Sequence, residues 1–520
     1  MTLEDGKKLD GASAMHAVVT SKYKVLIIDK AERNREAILP DGKTGWSTQY
    51  SLTNNTFRTL KLTSDTFCSA GAFLANGTLV ETAGGDGMGL TGEGYRKIRL
   101  FTPCEDASCT WNEIPDTMLN ARWYNTMTTL PDGNVFIIGG STRSVAINSK
   151  IVNNPTFEIY PRSREQIPLQ FLIDTLPNNL YPQVHVLPDR EDTMFLFANK
   201  KSILYNYETR ETIAFLPDIP GPPRSYPLTG TSVLLPLSYR NNYKPEILIC
   251  GGSPKTDSKA PAANSCGRID LSKDKPVWDM DDFGGIGRVM PDSVILPNAQ
   301  IVFINGAKKG FAGYVKAKGT RFVNSDPVFT PVLYDPAKEK SDRWTTLAPS
   351  KIARMYHSTA TLIYDGSIFV AGSNPQPDFN PNSLFPTEYR AEKFYPPYFT
   401  SSTPRLTITS LLGEDTLSYS GVPIKIKYDQ TLTVTTKTSD PEPEIFASII
   451  HFGFVTHSTN MGQRFVELNV VGIKPTRNEN EITIKVESPP NAYVIAPGPS
   501  YLFLMNKGRV CDEAVHVSLG

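Results

Sequence analysis

Three short segments hold residue types that rarely sit together, and each occupies the same kind of place. DTFCSAG carries Cys68, ARWYNTM carries Tyr124, and ARMYHST carries Tyr356 and His357. Each lies just upstream of a turn, a β-favouring run and small residues. A fourth segment, FVTHSTNMGQR, holds His457 between two strand-like runs. Two imidazoles and two phenolates make an N₂O₂ donor set, which suits tetragonal copper(II). Zinc more often takes Cys, His and carboxylates, and magnesium and calcium prefer oxygen donors. A phenol ionises near pH ~10, so tyrosine ligation needs a metal that strongly favours the phenolate. A free thiol beside such a tyrosine adds a redox option, because its sulfur can be joined to the ring and ease formation of a radical.

Taken singly, each residue has a plainer role. Cys68 would be an inert buried thiol, the two tyrosines would be packing residues, and each histidine a satisfied polar group. What draws them together is the architecture. A unit made of a turn, four to six β-favouring residues and small residues recurs along the first three-quarters of the chain. Its clear copies are LANGTLVETAGGD (74–86), LPDGNVFIIGGS (130–141) and IYDGSIFVAGSN (363–374). Looser copies begin near residues 21, 187, 244 and 296. About seven units predict an all-β, seven-bladed, kelch-like β-propeller over 1–399. Blades bury their faces only against neighbours, so they must close into a ring. Equivalent positions on successive blades then meet at one end of the ring axis, where Cys68, Tyr124, Tyr356 and His357 can converge. After YPPYFTSSTPR the pattern changes to short alternating runs, which predict an immunoglobulin-like β-sandwich over 400–520. His457 would reach the ring from that sandwich on a hairpin.

Bulk properties exclude several classes. The 520 residues are 40% hydrophobic and 20% charged, with Lys plus Arg and Asp plus Glu both at 53. A balanced charge gives no general pull toward nucleic acid or anionic membrane, and no apolar run approaches the roughly 18 residues of a membrane span. The polar start MTLEDGKKLD is no secretory signal; it fits a cytosolic protein or a mature secreted chain with a new first Met. The cysteines favour secretion: Cys104 with Cys109 and Cys250 with Cys266 have spacings that suit local disulfide loops. The sequons at Asn54 and Asn76 are compatible with a glycoprotein. Cys68 and Cys511 are left without partners.

In this order and at these spacings, DTFCSAG, ARWYNTM, ARMYHST and THSTNMGQR resemble the active-site segments of the galactose oxidase and glyoxal oxidase family of copper radical oxidases. RWY, RMYHST and APGPSYLFLM lie closer to the glyoxal oxidase branch. The resemblance implies one copper ion and a Cys68–Tyr124 thioether, with Tyr124 as equatorial ligand and radical site. It implies Tyr356 as axial ligand and proton acceptor, and His357 and His457 as the remaining ligands. The implied enzyme is a secreted, monomeric oxidase acting on a small aldehyde, as its hydrate, or a primary alcohol with O₂, and releasing hydrogen peroxide. A non-catalytic propeller that binds carbohydrate or protein is the reading from another class.

One departure bears on substrate and on the radical. Galactose oxidase has a tryptophan after the Gly-Gly-Ser of the Tyr124 blade, whereas Gly139-Gly140-Ser141 is followed here by Thr142. Arg122 and Arg354 precede the tyrosines at matching offsets and act either as donors to the phenolates or as blade salt-bridge partners. Trp123 lines the mouth of the site or packs. His16, His185, His451 and His516 carry no motif, and GGDGMGLTGEG (84–94) is a blade loop, lacking the Lys and helix of a phosphate loop.

Overall fold

The computed structural model describes residues 11–114, 118–314, 323–418 and 421–520, so the polar start lies outside it. Among the described residues the only α-helix is the four-residue Phe171–Asp174. The turns explain why. Gly77, Gly133 and Gly366 have φ of +82°, +81° and +84°, a region open to glycine at little cost. The Asn76, Asp132 and Asp365 side chains accept hydrogen bonds from the backbone two residues on and close each turn. Runs such as VFII and IFVAG cannot leave the sheet between such turns.

Seven small antiparallel sheets follow one another along the chain. Their innermost strands are His16–Ser21, Ala70–Phe73, Thr126–Thr129, Gln183–Val186, Gly230–Leu234, Asp292–Ile295 and Ser358–Leu362. The inner strand Ala70–Phe73 and its partner Leu79–Thr82 are buried throughout, whereas the outermost Glu211–Leu216 is largely exposed. Both faces of each blade are covered by neighbours, so second strands such as Val135–Ile138 and Ile301–Ile304 read as continuous apolar runs. The expected seven-bladed propeller is therefore present.

Buried arginines tie together the strands within a blade. Arg122, Arg224 and Arg354 donate to the carbonyls of Gly139, Gly251 and Gly372, where the second strand ends on a small residue and turns away. A buried carbonyl that has left its ladder needs another donor, and the guanidinium fork supplies it. Arg122 also pairs with Glu158 at 2.9 Å and Arg354 with Glu392 at 3.2 Å. Of the two roles open for Arg122 and Arg354, the salt-bridge one is observed.

The C-terminal strands form the expected sandwich. One sheet holds Thr407–Leu411, Glu414–Asp415, Thr431–Lys437, Glu481–Glu487 and Val470–Pro475. The other is built around Ile445–His451, Arg464–Leu468, Gly498–Asn506 and Val515–Leu519, and accepts Leu237–Ser238 in parallel. Between Ile445–His451 and Arg464–Leu468 a hairpin, Phe454–Thr456 and Thr459–Met461, leaves the sandwich and pairs with the first blade. Val18 lies opposite Phe454, and His16 opposite Thr456. Both expected disulfides form, Cys104–Cys109 and Cys250–Cys266, and Cys511 is a buried thiol.

Candidate metal centre

Each of the five residues singled out in sequence sits where the backbone leaves a strand pattern and turns to the axis. Cys68 and Tyr124 precede their inner strands by two residues, His357 precedes its own by one, and His457 is the tip of the sandwich hairpin. Their φ angles are +55°, +63°, +62° and +46°. Non-glycine residues hold this left-handed conformation only where the surroundings impose it, and such residues gather at functional sites. The Tyr124 amide donates to the Cys68 carbonyl over 3.1 Å, so the first two members are linked through backbone across adjacent blades.

The side chains meet in a buried pocket. Cys68, Tyr124, Tyr356, His357 and His457 are all at most 3% exposed. His357 Nε2 and His457 Nε2 are 2.9 Å apart, and Cys68 Sγ lies 3.3 Å from His457 Nε2. These three ligand atoms all fall within 4.8 Å of one another. The Cys68 thiol also lies close to the Tyr124 and Tyr356 side chains. Tyr356 stacks on His357 with ring centroids 3.7 Å apart.

The imidazoles are aimed by what holds their other nitrogens. His357 Nδ1 lies 3.0 Å from the Asn374 carbonyl, which can only accept, so Nδ1 carries the proton and Nε2 presents a lone pair. Asn374 is itself gripped by Asp29, Glu32 and Thr387. Thr456 donates to the Met15 carbonyl and so accepts from His457 Nδ1 at 2.6 Å. Burial lowers both imidazoles well below their usual range, which keeps them neutral. Burial also raises Tyr124, Tyr356 and Cys68 well above theirs.

A cation fits this arrangement. Two imidazole nitrogens bound at roughly 2.0 Å and at right angles would stand roughly 2.8 Å apart, close to the separation found. Phenols that burial holds protonated need a nearby positive charge to ionise, and no buried lysine or arginine donates to them among the described residues.

Sequence reasoning missed three further tyrosines. The Tyr226 hydroxyl is 3.0 Å from that of Tyr124 and 3.2 Å from that of Tyr356. Tyr181 packs on His457 with centroids 4.9 Å apart and donates to the Ser69 carbonyl. Tyr314 reaches His357 Nδ1 at 3.1 Å and stacks on Phe67. A signal for one existed: Arg224-Ser225-Tyr226 repeats the Arg-x-Tyr spacing of RWY and RMY. Trp123 packs against the Tyr124 ring at 4.5 Å and donates to the Phe67 carbonyl, so an aromatic covers Tyr124 although Thr142 replaces tryptophan.

The described chain can be set beside known proteins. The family model for the glyoxal oxidase N-terminus matches residues 15–398, and the galactose oxidase-like Early set domain matches 417–519. "Aldehyde oxidase GLOX" of Vitis pseudoreticulata is 35% identical over 96% of this chain and 93% of its own. "Aldehyde oxidase GLOX1" of Arabidopsis thaliana is 34% identical over 86% and 71% respectively. A fungal alcohol oxidase of the AA5 family, solved in complex with copper, superposes with a TM-score of 0.73 over 98% of this chain and 97% of that one, at 17% identity. The chain belongs to the glyoxal oxidase family, with its galactose oxidase-like C-terminal domain.

Proposed function

We propose that this protein is a copper radical oxidase that oxidises aldehydes, through their hydrates, or primary alcohols, and reduces O₂ to hydrogen peroxide. The observation that carries the reading is the meeting of Cys68, Tyr124, Tyr356, His357 and His457 in one buried pocket. Tyr124, Tyr356, His357 and His457 would hold the copper, which supplies one-electron redox chemistry. Cys68 and Tyr124, joined by a thioether, would take up the second electron. Relatives named aldehyde oxidases favour aldehydes as substrates. No feature of the pocket favours a purely recognition role.

For an aldehyde hydrate, the substrate hydroxyl gives its proton to the Tyr356 oxygen. The oxidised Tyr124 oxygen takes the hydrogen atom from the adjacent carbon, and the further electron released as the carbonyl forms would be accepted by the copper held by the four ligands. Two electrons and two protons pass to O₂, the protons leaving from Tyr356 and Tyr124, to give one carboxylic acid and one hydrogen peroxide. Trp123 and Tyr226 pack on the Tyr124 ring and shield it from water, which prolongs the oxidised form.

We assign the catalytic propeller to 1–399 and the sandwich that contributes His457 to 400–520. Every proposed ligand comes from this chain, so a monomer suffices. Two disulfides and the exposed asparagines of both sequons support secretion and glycosylation. The test is to load the protein with copper in air, digest it, and seek by mass spectrometry a peptide joining Cys68 to Tyr124, about two mass units below the sum of its parts. Peroxide release is then followed over aldehydes and primary alcohols. A free Cys68 thiol in copper-loaded protein would refute the mechanism.

A further inference from the structure

Three phenols stand in a row at the metal centre, and the hydroxyl of the middle one has no role in the reaction as derived. Tyr226 lies between Tyr124 and Tyr356, with hydroxyl oxygens 3.0 Å and 3.2 Å away. Its ring stacks on Tyr124 with centroids 4.4 Å apart and an interplanar angle of 29°. It is 3% exposed, and among the described residues these two oxygens are its hydroxyl's only hydrogen-bond partners. The residue is firmly placed, because Arg224, two positions earlier, is fastened to the carbonyls of Gly251 and Ser265.

The geometry points to Tyr226 as a positioning residue that donates its one hydrogen bond to the Tyr124 oxygen and sets how readily the Cys68–Tyr124 unit is oxidised. This rests on the proposed function. A phenol has one proton to give and two lone pairs to receive with. Tyr356, once it holds the substrate proton, can donate to the Tyr226 oxygen, which leaves the Tyr226 proton for Tyr124. A hydrogen bond to an anionic oxygen is stronger than one to a neutral oxygen. Donation therefore stabilises the reduced, anionic Tyr124 more than its oxidised, neutral radical, and raises the potential needed for oxidation. The stacked ring keeps the donor in line and excludes water that would otherwise replace it.

The test is redox titration of copper-loaded, cross-linked protein, followed by the absorption of the oxidised Tyr124 unit. Tyr226→Phe keeps the ring and removes the donor. At a fixed applied potential its ratio of oxidised to reduced protein should rise at least tenfold, a downward shift of about 59 mV for a one-electron couple. Replacing Tyr226 alone with 3-fluorotyrosine keeps the shape, strengthens the donor and should move the potential upward. The fluorinated protein carries the test if Tyr226→Phe does not fold. Cross-linked variants whose potentials equal the wild type overturn the assignment and leave the oxidase reading standing. Wild-type protein that forms no Cys68–Tyr124 link overturns both.

Discussion

Gly71, the last residue of DTFCSAG, has no chemistry of its own, yet Gly71→Ala should damage the metal centre. A Cβ there would lie 2.3, 2.6 and 3.0 Å from Cδ2, Cε2 and Cγ of Phe454. Carbon contacts settle at about 3.5–4.0 Å, so the ring must retreat by roughly 1.2 Å. Cγ is among the clashing atoms, and Phe454 is buried, so rotating the ring about its own axis gives no relief and the backbone must follow. Phe454 begins the hairpin whose tip is His457, three residues on. Metal–ligand distances tolerate only about ±0.2 Å. A tip displaced by even half the retreat leaves His457 outside that range, and misplaced ligand geometry costs roughly 10–100-fold in metal affinity. The overpacking itself should cost about 1–3 kcal/mol, too little to unfold the chain. Copper affinity, measured by competition with a chelator, should fall by that factor while the melting temperature drops only a few degrees. If Gly71→Ala binds copper as tightly as the wild type and forms the thioether equally fast, the hairpin does not govern His457 and the reasoning fails.

Three other perturbations have defined outcomes. Cys68→Ala should retain copper, since the thiol is not among the proposed ligands, but show no thioether and no peroxide release in a coupled assay. Arg354→Met strands the Glu392 carboxylate, which is 5% exposed as a side chain, and should cost about 3–5 kcal/mol in urea unfolding; adding Glu392→Leu should recover much of it. Asp292 is fully buried, and burial raises its carboxyl from 3.8 to about 7. The folded state therefore holds a proton there that the unfolded state has released, so the Asp292 contribution falls as pH rises from 3.8 to about 7 and is level above. Asp292→Asn should flatten that part of the stability profile, and an unchanged slope would refute the burial argument.

Cys68, Tyr124, Tyr356 and His357 were legible because they sit in motifs at one repeated place beside a turn and strand, and His457 because its segment lies between two strand-like runs. The propeller was legible from turns such as Asp132-Gly133 and Asp365-Gly366, where glycine backbone and an aspartate side chain impose the reversal. Tyr226 was hidden although its Arg-x-Tyr spacing repeats that of Tyr124 and Tyr356; its strand lead lacks the Gly-containing turn that marked the clear copies. Tyr314 follows the strand Ala307–Gly310, in the connection before its partner strand Asn324–Pro327, outside any repeat position, and no local pattern reports it. Nor could sequence reveal that the His457 hairpin pairs with His16–Ser21, because such a contact leaves no periodic trace in either segment. The role of Gly71 is hidden for the same reason, since its neighbour Phe454 lies in the other domain.

That pairing also has a consequence for how the protein comes into being. The strand His16–Ser21 is made long before its partner hairpin, which is complete only after residue 461 has been added. Until then the His16 edge has no partner, Gly71 faces an empty space, and His457 does not exist. A growing chain can close its blades one after another, but it has no complete donor set until the hairpin that carries His457 has been added. Oxidative maturation is thus deferred until the sandwich hairpin has been made, and a ribosome that stalls within the propeller releases a fragment without His457.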